Sequence, residues 1–569
     1  MFTGSVNIHW YFSPFVLCLI KRLETLADCK PRRIGLSATL NDYAPAMEYL
    51  SSGSNKKAIA VGIQNQKRTI SLCVESFILP QNEKLSLKVQ DEYKHFIYDN
   101  CHTKKCLMFT NSRSSAESVI ADMKEMAISC NEKDVFYVHH GGVSARLREE
   151  TENALKENEG ATVAAATLTL ELGIDIGDLD STIQLGAPYT CSSFVQRLGR
   201  SGRRTGKSQM MFVNLHIVIQ KNSYEAMPWD LLQSIAIIQL YLEERWVEPF
   251  EQKKKPYSLL AHQTLSTLMS NGELRSAELA KKVLTLPPFR NTVSTDEYRE
   301  LLQFMLKEDY LQRMDNGGII VGLKGEKICN YFTFYAVFKG EEAFKVISND
   351  GEVGTLDECP EIGKVFTLAG RSWVVVSVDL ERKNIYVNKT KNNKIPSWSG
   401  NGGNIHTKVV SRMKKVLQED IVYSYLQPNA QKLLLEARKI ARESGILEHD
   451  VIQHGENNYY LCPWIGTKTL STIASLFNCG LKDKLDICDV KCWEYYLSFI
   501  STLPLKELSE KMSVLRCPTD DVKLVLKNDV VPKNDKYDYM VPDNLLKTAY
   551  LNNQIDIKTA NDVLNNLVW

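Results

Sequence analysis

From about residue 86 to 220, short apolar runs alternate with longer amphipathic segments. This alternation predicts an α/β unit, a parallel sheet with helices on both faces. The run Cys106-Leu107-Met108-Phe109 leads into a helix expected to open at Ser114, where the spacing to Glu117 is that of a capping box. A strand over Val135–Val138 precedes a helix over Ala145–Glu157 that stops near Gly160. Strands over Thr162–Ala165 and Thr182–Leu185 follow. The pattern predicts the class and leaves the strand order open.

With 569 residues the chain is too long for one core, and three or four domains are expected. Residues 1–60 read as the tail of an α/β domain: a strand Ile34-Gly35-Leu36, then Ser37-Ala38-Thr39, then a helix over Tyr43–Leu50 capped by Asn41 or Asp42. A β-rich connector (Lys57–Pro80) leads into the α/β unit, taken as 61–225. Residues 226–328 read as helices closing on a hairpin at Arg313–Val321, a winged-helix pattern. Residues 329–418 read as a β-rich basic domain, and 419–569 as a helical region broken by a strand at Asn458–Cys462.

The chain is 44% hydrophobic and carries a formal net charge of +1, so any surface for a polyanion must come from local clustering. The apolar run Trp10–Ile20 is too short for a membrane span and is read as a buried strand or helix. The 14 cysteines lack paired zinc-site spacing; free thiols in a reducing cytoplasm are expected, with no metal.

Chemistry concentrates in Gln196-Arg197-Leu198-Gly199-Arg200-Ser201-Gly202-Arg203-Arg204, with four arginines in eight residues. Guanidinium groups offer a planar fork to phosphate oxygens and stay charged in any setting. Gly199 and Gly202 let the backbone turn so that these groups converge. Upstream, Ala166–Gly177 combines a strand-end hydroxyl, Thr167, with the Gly173-Ile174-Asp175 turn. The hydroxyl can meet a phosphate oxygen, and the carboxylate can accept from a ribose hydroxyl. The tail of Thr205-Gly206-Lys207-Ser208 looks like a phosphate loop, but the required first glycine is Ser201.

Together these segments resemble superfamily 2 helicases, in the right order along the chain. Ser37-Ala38-Thr39 resembles the motif coupling the two motor lobes. Phe109-Thr110-Asn111-Ser112-Arg113 resembles the second lobe's backbone-binding motif, and His139-His140-Gly141 the element after it. Within the superfamily the chain resembles the large helicase-related family, through Leu260-Ala261-His262-Gln263, Tyr335–Phe338, Leu368–Trp373, Pro396–Gly400 and Pro463–Gly466. The resemblance implies a second RecA-like lobe, then a winged helix and a mixed β-rich and helical region. It implies that Gln196, Arg200 and Arg203 face the triphosphate, with Gly173, Asp175 and Arg197 at the nucleotide. Thr110, Asn111, Arg113, His140 and Thr167 would hold a nucleic-acid strand, joined downstream by Arg371 and Trp398.

Trp398 sits between Pro396 and Gly400 in a window, Arg371–Lys415, with ten basic and two acidic residues. An aromatic among cations suits base stacking on a single strand. Trp373 alternates with Val374 and Val376 and is expected in the core. No Gly-x-x-x-x-Gly-Lys-Ser/Thr loop and no Asp-Glu-x-His or Asp-Glu-Ala-Asp run occurs in the sequence. ATP and Mg²⁺ are thus expected of a complete motor, with the nucleotide-gripping elements on a first lobe that this sequence mostly lacks. The partners expected are single-stranded or partly duplex DNA, with RNA or an RNA–DNA hybrid left open, and a separate chain supplying that lobe. A non-catalytic nucleic-acid-binding accessory, or a decayed copy of such a motor, is the competing reading.

Overall fold

A computed structural model describes residues 3–5, 13–28, 31–37, 39–40, 42–54, 56–61, 69–171, 174–202, 206–217, 223–337, 343–390, 403–527 and 530–569. Strand β1 (Thr3–Ser5) pairs in parallel with β2 (Ile34–Leu36). Helix α1 (Ser13–Leu26) lies between them in sequence, and α2 (Tyr43–Ser51) follows with Asp42 as its cap.

The α/β unit is the expected one. Strands β3 (Thr69–Leu79), β4 (Lys105–Phe109), β5 (Phe136–His139), β6 (Thr162–Ala166), β7 (Ser181–Leu185) and β8 (Lys207–Ile217) form a sheet in the order β3-β8-β7-β4-β6-β5. Every pairing is parallel. Helices α3 (Glu83–Cys101), α4 (Arg113–Ser129), α5 (Ala145–Glu157) and α6 (Cys191–Leu198) cover it. Strand β6, Thr-Val-Ala-Ala-Ala, is buried at every position, as a strand covered on both faces must be. The free edge of β3 is not left open: Val74 donates to the Tyr425 carbonyl and accepts from Gln427, both at 2.9 Å. Helix α4 is capped by Ser112, whose side chain accepts from Ser115 N, and not by the expected Ser114–Glu117 box. Glu117 instead turns into the core.

The later boundaries differ from the sequence reading. Helix α7 (Trp229–Glu244) does not belong with the helices that follow it. It shares a core with Phe194 and Phe212 of the α/β unit, and with α12 (Thr407–Gln418) and α13 (Pro428–Ser444). The cause is composition: α7 is apolar nearly all round and so must be enclosed on several sides. The amphipathic α12, expected with the β-rich domain, leaves it to supply part of that enclosure; Val409, Val410, Met413 and Val416 face the α7 core.

Helix α8 (Tyr257–Asn271), β9 (Leu274–Arg275), α9 (Ser276–Leu284), α10 (Thr295–Lys307), β10 (Leu311–Arg313), β11 (Gly318–Val321) and α11 (Leu323–Cys329) form a separate unit with a three-stranded sheet. Two distant segments pack onto it, Cys18 of α1 and Tyr537–Leu546. Five strands over Phe344–Lys389 then form one sheet, with Trp373 in its core as expected. The final region is not purely helical. Val451–His454, Asn458–Leu461, Ile487–Cys492 and Leu497–Ser501 build a four-stranded antiparallel sheet. Among the described residues every cysteine is a free thiol, no helix is long and apolar enough to cross a membrane, and no side-chain cluster suits a metal.

Candidate functional site

Parallel sheets place their ligand crevice beyond the carboxyl ends of the strands. Strands β4, β6, β7 and β5 are followed there by Thr110, Thr167, Gly186 and His140. Thr110 is tied in: its N–H donates to the Ala166 carbonyl at 3.0 Å, and its hydroxyl to the Ser112 carbonyl at 2.9 Å. Asn111 crosses to β7, Nδ2 donating to the Ala187 carbonyl at 2.7 Å. Thr167 is half-buried. The His139 ring lies between Thr169 and Glu152, each at 2.8 Å. Burial holds its pKa below the usual value, Glu152 pulls it up and Arg148 opposes protonation. Arg148, a half-buried cation beside these strand ends, was not singled out in the sequence, where it is one charge among several on the polar helix α5.

Helix α6 leads into the arginine motif and carries its first residues, Gln196 and Arg197. Thr190 caps it, accepting from Ser193 N, and the Glu248 carboxylate takes the Cys191 and Ser192 N–H groups at 2.8 and 3.0 Å. An anion at a helix amino terminus is stabilised by the exposed donors there. The arginines diverge in role. Arg197 is 2% exposed, and its Nε and Nη2 donate to Glu171 Oε2 at 3.0 and 2.9 Å. Its Nη1 donates to Gln184, and its guanidinium lies 4.9 Å from the centre of the Phe109 ring. Arg197, expected at the nucleotide, is held here by a 4% exposed carboxylate of the same α/β unit.

Arg200 reaches the Glu171 carbonyl from Nε and Nη2 at 3.1 and 2.6 Å, and the Ile174 carbonyl from Nη1 at 2.9 Å. Gly202 has φ 69°, and a Cβ there would meet the Lys207 carbonyl oxygen at 2.2 Å, so only glycine fits. The Lys207-Ser208 pair opens β8 and not a helix.

Gln196 faces another segment. Its Nε2 donates to Thr39 Oγ1 at 3.1 Å, and Ser192 Oγ meets the same hydroxyl at 3.0 Å. The amino-terminal segment and the arginine motif thus touch through Thr39, while Ser37 is exposed. Gln196 Oε1 is buried without a hydrogen-bond partner among the described residues. Asp175 is exposed, accepts the Gly177 N–H at 3.3 Å and lies 3.5 Å from Lys156.

Two expected strand contacts meet carboxylates of this chain. His140 is fully buried, with Nε2 at 3.0 Å from Glu117 Oε1, so the ring cannot touch a strand as it stands. Arg113 lies 3.4 Å from Asp357 of the five-stranded domain. Arg371 is exposed at the start of a strand. Ala38, Gly173, Arg203 and Trp398 lie outside the described residues.

The nucleotide implied by the resemblance fits these residues only in part. The unpartnered Gln196 oxygen and the exposed Asp175 carboxylate suit one wall of such a site. Arg200 is engaged with carbonyls, and no phosphate cradle exists among the described residues. No chemical step follows from this chain's residues alone.

The model of the helicase conserved C-terminal domain matches residues 88–205. The ATP-dependent helicase Lhr-Core of Sulfolobus acidocaldarius is 24% identical, over 64% of this chain and 42% of its own length. Its namesake in Methanocaldococcus jannaschii is 34% identical over 32% of this chain and 21% of its own length. The chain therefore spans less than half of either relative. A Mycobacterium smegmatis helicase Lhr solved with ssDNA and AMP-PNP shares the fold, with a TM-score of 0.66 at 15% identity, covering 97% of this chain and 74% of that one.

Proposed function

We propose that this chain forms the strand-holding half of an ATP-driven nucleic-acid helicase or translocase of the Lhr type. The observation that carries the reading is the junction at Thr39, where the amino-terminal segment meets Gln196 and Ser192 of the arginine-motif helix. A motor that closes two lobes on a nucleotide needs a contact between them at the arginine motif, and this one joins the expected partners. In a complete motor Arg200 and Arg203 would stabilise charge on the transferred phosphoryl group. Arg200 would first have to leave the Glu171 and Ile174 carbonyls. Thr110, Asn111 and Thr167 would hold the strand, and Trp398 would stack on a base. The unit over 257–329 is read as a winged helix that guides the strand. DNA is the favoured substrate, because the similar solved helicase holds ssDNA.

The engagement of Arg200 with its own lobe favours one alternative, a strand-binding accessory that hydrolyses nothing. The test is ATPase activity of the purified chain with a single-stranded oligonucleotide, alone and with a separate polypeptide carrying a phosphate loop and an acidic box. The motor reading expects none alone and strand-stimulated hydrolysis on mixing, lost with Arg200→Ala. Hydrolysis by the chain alone would overturn the assignment of the phosphate cradle to another polypeptide. Strand binding without hydrolysis in the mixture would favour the accessory.

A further inference from the structure

Glu117 has no exposure to solvent, yet it is a carboxylate in the second turn of α4. Its Oε1 accepts the Ala369 N–H and its Oε2 the Gly370 N–H, both at 2.7 Å. His140 Nε2 lies 3.0 Å from Oε1. The Gly142 N–H donates to His140 Nδ1 at 3.1 Å, so Nε2 is the nitrogen that presents its proton to Glu117. A buried carboxylate persists when several donors answer it, and here three do.

The receiving turn is unusual. Ala369 and Gly370 both have left-handed backbone, φ 58° and 66°. N–H groups of successive turn residues converge into a concavity that seats an anion. Glu117 fills that seat from 252 residues away. The seated turn leads directly into Arg371.

The seam continues beside it. Val143 and Gly354 form an antiparallel bridge. Ser144 N donates to the Val353 carbonyl at 2.9 Å, and Thr355 N to the Gly142 carbonyl at 2.7 Å. Ile120 and Val138 of the lobe share one core with Phe366, Leu368 and Trp373. A Cβ at Gly354 would sit 2.1 Å from the Gly142 carbonyl oxygen, so the two backbones approach as closely as glycine allows. Cations line both sides of this seam. On the lobe Arg146 of α5 lies 2.6 Å from Glu150, and on the domain Lys389 is paired in register with Trp373, two residues on from Arg371. Lys389 lies 2.7 Å from Asp350 and holds its carboxyl below the usual range, with Arg371 of the same domain and Arg146 of α5 adding to the effect.

We propose that Glu117 is a positioning residue: it locks the five-stranded domain onto the lobe and thereby sets Arg371 and Lys389 beside Arg146 as one phosphate-binding cluster for the strand. This rests on the nucleic-acid reading above. It also explains why His140 is buried, since the ring is part of the lock. The lobe and the domain then travel together through a motor cycle, and the strand surface is built across their seam.

The test combines amide hydrogen exchange with the salt dependence of single-stranded oligonucleotide binding by the full chain. In Glu117→Gln the side-chain amide faces donors, and faster exchange is expected at Ala369, Gly370 and Thr355. The slope of log affinity against log salt should become shallower by about 0.7 for each phosphate that the displaced cations no longer neutralise. Arg371→Ala should weaken binding about fivefold in the otherwise native chain, a little under one factor-of-ten step. It should weaken binding less than about twofold in the Glu117→Gln background. Gly354→Ala, which pries the seam at a second point, should shallow the slope likewise; a variant that merely lowered stability would not produce this coupling. Unchanged exchange in Glu117→Gln, or an equal Arg371→Ala effect in both backgrounds, would refute the lock. If Arg371→Ala has no effect in the native background, the strand-binding reading of this surface fails and takes the positioning claim with it, while altered exchange would still identify the seam.

Discussion

Replacing Arg197 by Met separates what the arginine motif does for the fold from what it does for chemistry. Arg197 and Glu171 are 2% and 4% exposed and make a two-pronged pair, with Gln184 taking a third guanidinium donor and Ser193 Oγ donating to Glu171 at 2.8 Å. Arg197→Met leaves the Glu171 carboxylate buried with one hydroxyl donor. Breaking a buried pair from one side costs about 3–5 kcal/mol. Removing both charges with Arg197→Met and Glu171→Leu should return the lobe to within about 1 kcal/mol of the native value, because the desolvation cost then vanishes too. A chain with several cores does not unfold in one step, so the measurement is native-state hydrogen exchange at β6 and β7 amides. Exchange in Arg197→Met should be faster by about two to four powers of ten, and close to native in the double variant. A loss below about 1 kcal/mol in the single variant would refute the reasoning and return Arg197 to the candidates for direct nucleotide contact.

Gly202→Ala should destabilise the loop ahead of Arg203 by about 2 kcal/mol or more, because the new Cβ would meet the Lys207 carbonyl oxygen at 2.2 Å and φ is 69°. Exchange at the opening residues of β8 reads the effect, and native-like protection would contradict it. Burial pushes the His262 pKa down to about 4, while its unfolded value is near 6.5. The stability it contributes to the α8 unit is therefore full above about pH 6.5 and is lost as pH falls toward 4. Asp538, which belongs to the segment packed on α8, works oppositely: burial raises its pKa to about 6, so its contribution is full below about pH 4 and is lost as pH rises through 6. Asp538→Asn should remove the second leg and leave the acid loss, as read by exchange in α8 across pH; a flat profile would contradict both assignments.

The sheet was legible because buried parallel strands write themselves as apolar runs, and strand ends carry their hydroxyls at fixed offsets. Thr110, Asn111 and Thr167 sit at strand ends as the spacing required. What was not legible depends on partners far away in sequence. Ser114 and Glu117 have capping-box spacing, yet Ser112 already satisfies the helix end, and Glu117 is drawn inward by N–H groups at 369 and 370. Arg197 reads like its neighbours until Glu171 and Gln184 are seen to claim it. Helix α7 follows the α/β unit directly, but its all-round apolar surface needed α12 and α13 to enclose it. Of the carboxy-terminal sheet only the strand at Asn458–Leu461 was legible; the other three carry polar or charged residues between their apolar ones, and a helix separates the second strand from the third.

The central claim is that the chain grips a nucleic-acid strand through its phosphates, and the affinity for a single-stranded oligonucleotide measured across salt tests it most directly. Two or more cationic contacts drawn from Arg146, Arg371 and Lys389 predict a log–log slope of about −1.4 or steeper. Affinity that does not change with salt, or no binding at about 50 mM salt, would contradict the account.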